Sequence, residues 1–128
     1  MEADVPVRGL EALRAGRALT ADLTGAAWEP LGHDVPVITE AEAGARFVSL
    51  ADQHPVTVFE YFLTDKAGHR RIEQSPAEIL RALDRFLGAI LDALNPASDL
   101  LVLTSDHGNL EEGDRTTHTR HPVPLVAY

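Results

Sequence analysis

The chain reads as an α/β protein with a mainly parallel sheet, and three observations predict it. A β-branched and aromatic run, residues 56–63 (VTVFEYFL), and a continuous apolar run, 100–103 (LLVL), flank a strongly marked helix over 75–94. Strand, helix and strand in that order form a βαβ unit, whose crossover is nearly always right-handed, so both strands point the same way. A third apolar segment, 122–128 (PVPLVAY), starts another strand.

Composition bounds what such a fold can do. At 128 residues the chain is one domain's worth of material, with 45% hydrophobic and 24% charged residues, as in ordinary globular proteins. There is no cysteine, which excludes disulfides and thiolate metal sites and is compatible with a reducing compartment. No stretch has the apolar length of a membrane span, and MEADVPVRG lacks a signal-peptide pattern, so a cytoplasmic protein with no membrane partner is expected. Twenty acidic residues against eleven basic ones give a net charge of -9, which disfavours nucleic acid as a partner.

Taken in order, residues 8–24 read as a helix with an imperfect apolar stripe that Gly16 weakens. Residues 28–36 are rich in turn formers and read as a connection, in which His33 and Asp34 form a solvated pair. Thr39 opens a helix to about Asp52, with Glu42 at capping-box spacing. The run 56–63 is too short for a typical helix and reads as a strand ending on Thr64-Asp65-Lys66-Ala67-Gly68-His69. Ser75-Pro76-Ala77-Glu78 combines a Ser N-cap, Pro at the first helical position and a capping-box Glu. From there Ile79, Leu83, Phe86, Ile90 and Leu94 share one stripe suited to a sheet face, and Asn95-Pro96 ends the helix. Leu100 to Leu103 is a continuous apolar run, the pattern of a strand buried on both faces.

Chemistry gathers at the strand ends. In a parallel sheet Asp65 and His69, after the first strand, lie on the same edge as Asp106 and His107, after the second. His118, in the loop 109–121, is close enough along the chain to fold back there. Two carboxylates and three imidazoles without cysteine are ligand chemistry for Zn²⁺ or Mn²⁺. Lys66, Arg70, Arg71 and Arg120 are candidates for gripping anionic substrate groups, and equally ordinary surface charges. Asn109, Glu111 and Glu112 either orient metal ligands or form a polar loop.

The motifs TDKAGH (64–69), TSDHGN (104–109) and THTRHPVP (117–124), in that order around a βαβ unit, resemble the C-terminal part of the alkaline phosphatase superfamily of metalloenzymes. The likeness is greatest to the cofactor-independent phosphoglycerate mutase branch. The resemblance covers residues 56–128, whereas 1–55 form a helical lead-in without a family motif. It implies a three-layer α/β/α fold and two divalent metals, Zn²⁺ or Mn²⁺. Asp65, His69 and His118 would hold one metal, Asp106 and His107 the other. The activity implied is phosphotransfer, or hydrolysis of phosphate or sulfate esters, on a small-molecule substrate.

The family takes a further Asp and its Ser or Thr nucleophile from an N-terminal half that this chain does not match. Thr20, Asp22 and Thr24 read as helix-end polar residues rather than substitutes. A partial, incomplete domain is therefore expected, inactive in isolation and holding as few as one of the two metals. Its open sheet would favour self-association or a complementary N-terminal half as partner. A catalytically inactive metal-binding or interaction domain is the alternative.

Overall fold

The structure is a computed structural model that describes residues 8–128. Two of its helices start where their capping boxes dictate. Helix α2 (Glu40–Ala51) opens with the Glu42 N–H donating to Thr39 Oγ1 at 3.1 Å and the Thr39 N–H donating to the Glu42 carboxylate at 2.7 Å. Helix α4 (Pro76–Ala93) repeats this with Ser75 and Glu78, and Pro76 fills the first helical position. Each box satisfies amide donors that a helix start otherwise leaves unpaired.

These two helices build the main core. Phe86 and Ile90 of α4 are buried with Ala43 and Val48 of α2 and with Leu23, and Phe47, Phe59, Leu83 and Leu87 pack around them. The rings of Phe47, Phe59 and Phe86 stand 5.4–6.0 Å apart in tilted and edge-on pairs. Across the helix pair, the Arg85 guanidinium grips both Glu40 carboxylate oxygens, at 2.6 and 3.2 Å.

The lead-in departs from its expected form. Helix α1 spans only Leu10–Arg14, because Gly16 turns left-handed at φ 71° and ends it. Residues 15–25 are wound instead through turns, with Leu23 also left-handed and fully buried. Asp22 stabilises these turns: its carboxylate accepts the N–H groups of Gly25 and Ala27 at 3.2 and 3.0 Å. Thr24 Oγ1 accepts the Ala26 N–H and Thr20 is buried, so these residues lie in turns rather than at the helix end their sequence suggested. The expected connection over 28–36 contains part of a short 3-10 helix, Ala26–Leu31. Leu13, Ala18 and Val35 form a second small core beneath Trp28.

Residues 56–61 form no regular element and belong to no sheet, which corrects the expected strand over 56–63. The period-2 pattern is present: Val56 and Val58 are 78% and 87% exposed, whereas Phe59 and Tyr61 pack on the core. What is missing is a neighbouring strand, since none of the described residues pairs with this segment. Its end folds directly into helix α3 (Leu63–Gly68).

Strand β1 (Val102–Thr104) pairs with β2 (Leu125–Ala127) in antiparallel register, Leu103 opposite Val126. The sheet among the described residues is therefore two-stranded and antiparallel, and the chain is α/β without itself displaying a mainly parallel three-layer sheet. The run at 100–103 is not buried on both faces either. Leu101 and Leu103 line an apolar cleft with Leu87 and Leu91 of α4, while Leu100 and Val102 are 73% and 52% exposed because none of the described residues covers their side. No helix among the described residues is long and apolar enough to cross a membrane.

Candidate metal centre

Three chain segments bring the candidate ligands together. Asp65 lies on α3 and His69, four residues on, is its C-cap, which puts both on one side of the helix end rather than in the loop the sequence suggested. Strand β1 runs into the turn Ser105-Asp106-His107-Gly108-Asn109, and the loop beyond returns to it through the bridge Gly108↔Thr119. His118 directly precedes that bridge.

Asp65 Oδ1 is the hub. His69 Nε2 lies 3.2 Å from it, His118 Nε2 3.4 Å and His107 Nε2 3.9 Å. His69 Nε2 and His118 Nε2 are 3.2 Å apart, and the rings of His107 and His118 stack at 3.5 Å with 16° between planes. Donor atoms of Asp65, His107 and His118 all fall within 4.8 Å of one another. His69 Nδ1 is 2.5 Å from the Thr116 carbonyl, which can only accept, so Nδ1 carries a proton and Nε2 is the ring nitrogen that faces Asp65.

Asn109 supports the hub from behind. It is buried, and its Nδ2 donates to Asp65 Oδ1 at 3.0 Å. Burial pushes the Asp65 carboxyl up, but this hydrogen bond, followed by the His69, His107 and His118 imidazoles, outweighs it and holds the group below the usual carboxylate range. Glu111 in turn accepts the Asn109 N–H at 2.7 Å and the Thr119 hydroxyl; the Thr119 contact is the main reason its own carboxyl is held low.

Other candidates stand apart. The Asp106 side chain is 86% exposed and 3.6 Å from His107 Nε2, outside the group around Asp65. The Arg70 guanidinium donates through Nη2 to the Gly113 carbonyl at 2.7 Å, which ties down the loop. Lys66 Nζ lies 4.4 Å above the Phe62 ring, and Arg71 and Arg120 are exposed. Glu112 pairs with Arg115 at 2.8 Å and with His121 Nε2 at 3.0 Å. His33 leans on Trp28, and the Asp34 carbonyl accepts the Arg14 guanidinium, so neither belongs to the site. Sequence reasoning missed Thr116, Thr119 and His121, whose contacts depend on how the loop 109–121 folds back.

The donor set fits a divalent cation. Tetrahedral ligands about 2.0–2.1 Å from a metal ion stand about 3.3 Å from each other. Asp65 Oδ1, His69 Nε2 and His118 Nε2 form a triangle with sides of 3.2, 3.2 and 3.4 Å. Mixed nitrogen and oxygen donors suit ions of intermediate hardness.

Such a donor set, gathered at a strand end and a helix end, is one that could hold a metal ion. Residues 38–128 match the family model of the Metalloenzyme superfamily, and the chain belongs to that superfamily. Over its whole length it is 35% identical to a phosphopentomutase of Anaeromyxobacter sp. (strain K), of which it spans 31%. Over 47% of its length it is 50% identical to a phosphopentomutase of Chromohalobacter salexigens, spanning 14% of that protein. Over 73% of its length it is 31% identical to a 2,3-bisphosphoglycerate-independent phosphoglycerate mutase of Agrobacterium fabrum, spanning 20% of that protein. The chain thus covers less than a third of each of these relatives. No solved structure matches it.

Proposed function

We propose that this chain supplies the metal-binding part of a divalent-metal-dependent phosphotransfer enzyme of the phosphomutase kind, acting on a phosphorylated small molecule in the cytoplasm. The observation that carries the reading is the approach of three imidazole nitrogens to one oxygen of Asp65, at 3.2–3.9 Å. In this reading Asp65, His69 and His118 hold one ion, and Asp106 with His107 offers two donors to a second, the ions being Zn²⁺ or Mn²⁺. Bound ions supply positive charge for phosphoryl oxygens and for an ionising hydroxyl. The chain's own residues orient that charge: Asn109 steadies Asp65, and the Thr116 carbonyl sets the His69 tautomer. Lys66, Arg70 and Arg120 are the candidates for gripping a substrate anion, Arg120 being exposed and near His118 in sequence.

A nucleophile and further ligands would come from polypeptide beyond the matched part, along with strands that complete a three-layer, mainly parallel sheet. The exposed apolar side chains of Val56, Val58, Leu100 and Val102 support that reading. In the isolated chain such exposed apolar side chains favour self-association.

The test is metal content and affinity of the purified chain, by elemental analysis and calorimetry, with His118→Ala and Asp106→Ala alongside. Roughly one Zn²⁺ or Mn²⁺ per chain is expected, lost in His118→Ala and retained in Asp106→Ala. A parent chain that binds neither ion would overturn the reading.

A further inference from the structure

We propose that Glu111 is a positioning residue, a carboxylate latch that sets His118 against the His107 turn. This rests on the metal-site reading above but is carried by different contacts. One oxygen of Glu111 accepts the N–H of Asn109, two residues after His107, at 2.7 Å. The other accepts the hydroxyl of Thr119, the residue directly after His118. A single carboxylate thus ties together the two segments that carry two of the imidazoles.

Without that tie the segments are joined there by one backbone bridge, in which the Thr119 N–H donates to the Gly108 carbonyl at 2.8 Å. One bridge is a pivot; a second tie beside it removes the rotation. Gly108 makes room for the latch, because a Cβ at that position would collide with both Thr119 Oγ1 and the Glu111 carboxylate. A carboxylate suits the task because both oxygens only accept, and both partners donate, whereas a glutamine offers one acceptor. His121 Nδ1, 3.5 Å from the oxygen that takes the Thr119 hydroxyl, is the other group facing Glu111. The outcome is the stacked His107–His118 pair, with His118 Nε2 3.4 Å from Asp65 Oδ1.

The test uses the 128-residue chain and two readouts. Zn²⁺ affinity is measured by calorimetry, and the His118 ring signal is followed by NMR in the metal-free chain at one fixed pH. Glu111→Ala is expected to weaken Zn²⁺ binding about 10–100-fold, in the range typical of residues that orient metal ligands. Glu111→Gln should fall between the alanine variant and the parent. Thr119→Val should lose affinity like Glu111→Ala, while Thr119→Ser, which keeps the hydroxyl, should bind as the parent does. In Glu111→Ala the His118 signal should move while those of His33 and His54 stay in place. Parent affinity and an unmoved His118 signal in Glu111→Ala would overturn the proposal, even if the melting temperature fell. So would a Thr119→Ser variant as impaired as Thr119→Val. A parent that binds no Zn²⁺, yet whose His118 signal moves in Glu111→Ala, would uphold the latch and remove the metal reading.

Discussion

Replacing Gly68 by alanine sets two effects against each other. Gly68 lies in α3 between Asp65 and His69, and alanine in a helix is favoured over glycine by about 1 kcal/mol. On propensity alone Gly68→Ala stabilises the chain. The Asn109 side chain, however, lies directly over this glycine. An added Cβ would stand 2.8 Å from Asn109 Nδ2, 2.5 Å from its Cγ and closer still to its Oδ1. Comfortable contact needs about 3.5–4.0 Å, so the carboxamide must retreat by roughly 1 Å.

Asn109 is 4% exposed and has little room to move, and that shift breaks its 3.0 Å bond to Asp65. Overpacking of this kind typically costs about 1–3 kcal/mol, which outweighs the helix gain. Loss of the orienting hydrogen bond should also weaken cation binding about 10–100-fold. Calorimetric titration with Zn²⁺, alongside thermal melts of the metal-free chain, measures both. The Asn109→Ala background is the control: with the carboxamide gone, Gly68→Ala should cost nothing further, a coupling that a double-mutant cycle reads directly. A Gly68→Ala single variant that melts higher than the parent and binds Zn²⁺ equally well would refute this reasoning.

Two more outcomes are expected from the helical core. Ile90, 2% exposed between α4 and α2, should cost about 2–5 kcal/mol when cut to alanine; a urea midpoint within error of the parent would show the helix pair to be loosely packed. The carboxyls of Glu42 and Glu78 are held low, Glu42 first by the Thr39 backbone N–H and Glu78 first by the Ser75 hydroxyl, and Glu40 is held low chiefly by Arg85. Groups with depressed folded values contribute stability above their unfolded pKa, about 4.3 for Glu, and lose it as pH falls through the folded values. Helix content followed by circular dichroism should therefore drop on the acid side of about pH 4, and the drop should be shallower in the Glu42→Gln, Glu78→Gln double variant. An unchanged acid limb would mean that the boxes do not contribute.

The features legible in the sequence are those decided within a few residues. Thr39 with Glu42, and Ser75-Pro76 with Glu78, carry their own hydrogen-bond partners, so α2 and α4 begin where the pattern says. Helix α1 stops early because the left-handed turn at Gly16 belongs to the packing of Leu13 and Ala18 under Trp28, a contact outside any short window. The β-branched and aromatic run at 56–63 reads as a strand and forms none, because a strand also needs a neighbour and pairing is not local. At the site, the residue types point to metal chemistry, and the side chains of Asp65, His69, His107 and His118 lie close to one another. The placement of Asp65 and His69 on a helix was hidden in their four-residue spacing. The commitment of Arg70 to Gly113, and the part played by Thr116 and Thr119, depend on a loop whose path nothing in its composition dictates.

His69 and His118 meet across 49 positions of chain, most of them occupied by α4 and the segments around it. A ligand that joins such distant points acts as a reversible cross-link, closing a long loop whose entropy grows only slowly with length. At a free ion concentration of a hundred times Kd, the folded form would gain about 2.7 kcal/mol, a large share of the roughly 5–15 kcal/mol that holds a typical domain together. Chelation would then act as a conformational control, slackening the polar loop 109–121 while α2 and α4, clasped by apolar side chains, keep their grip.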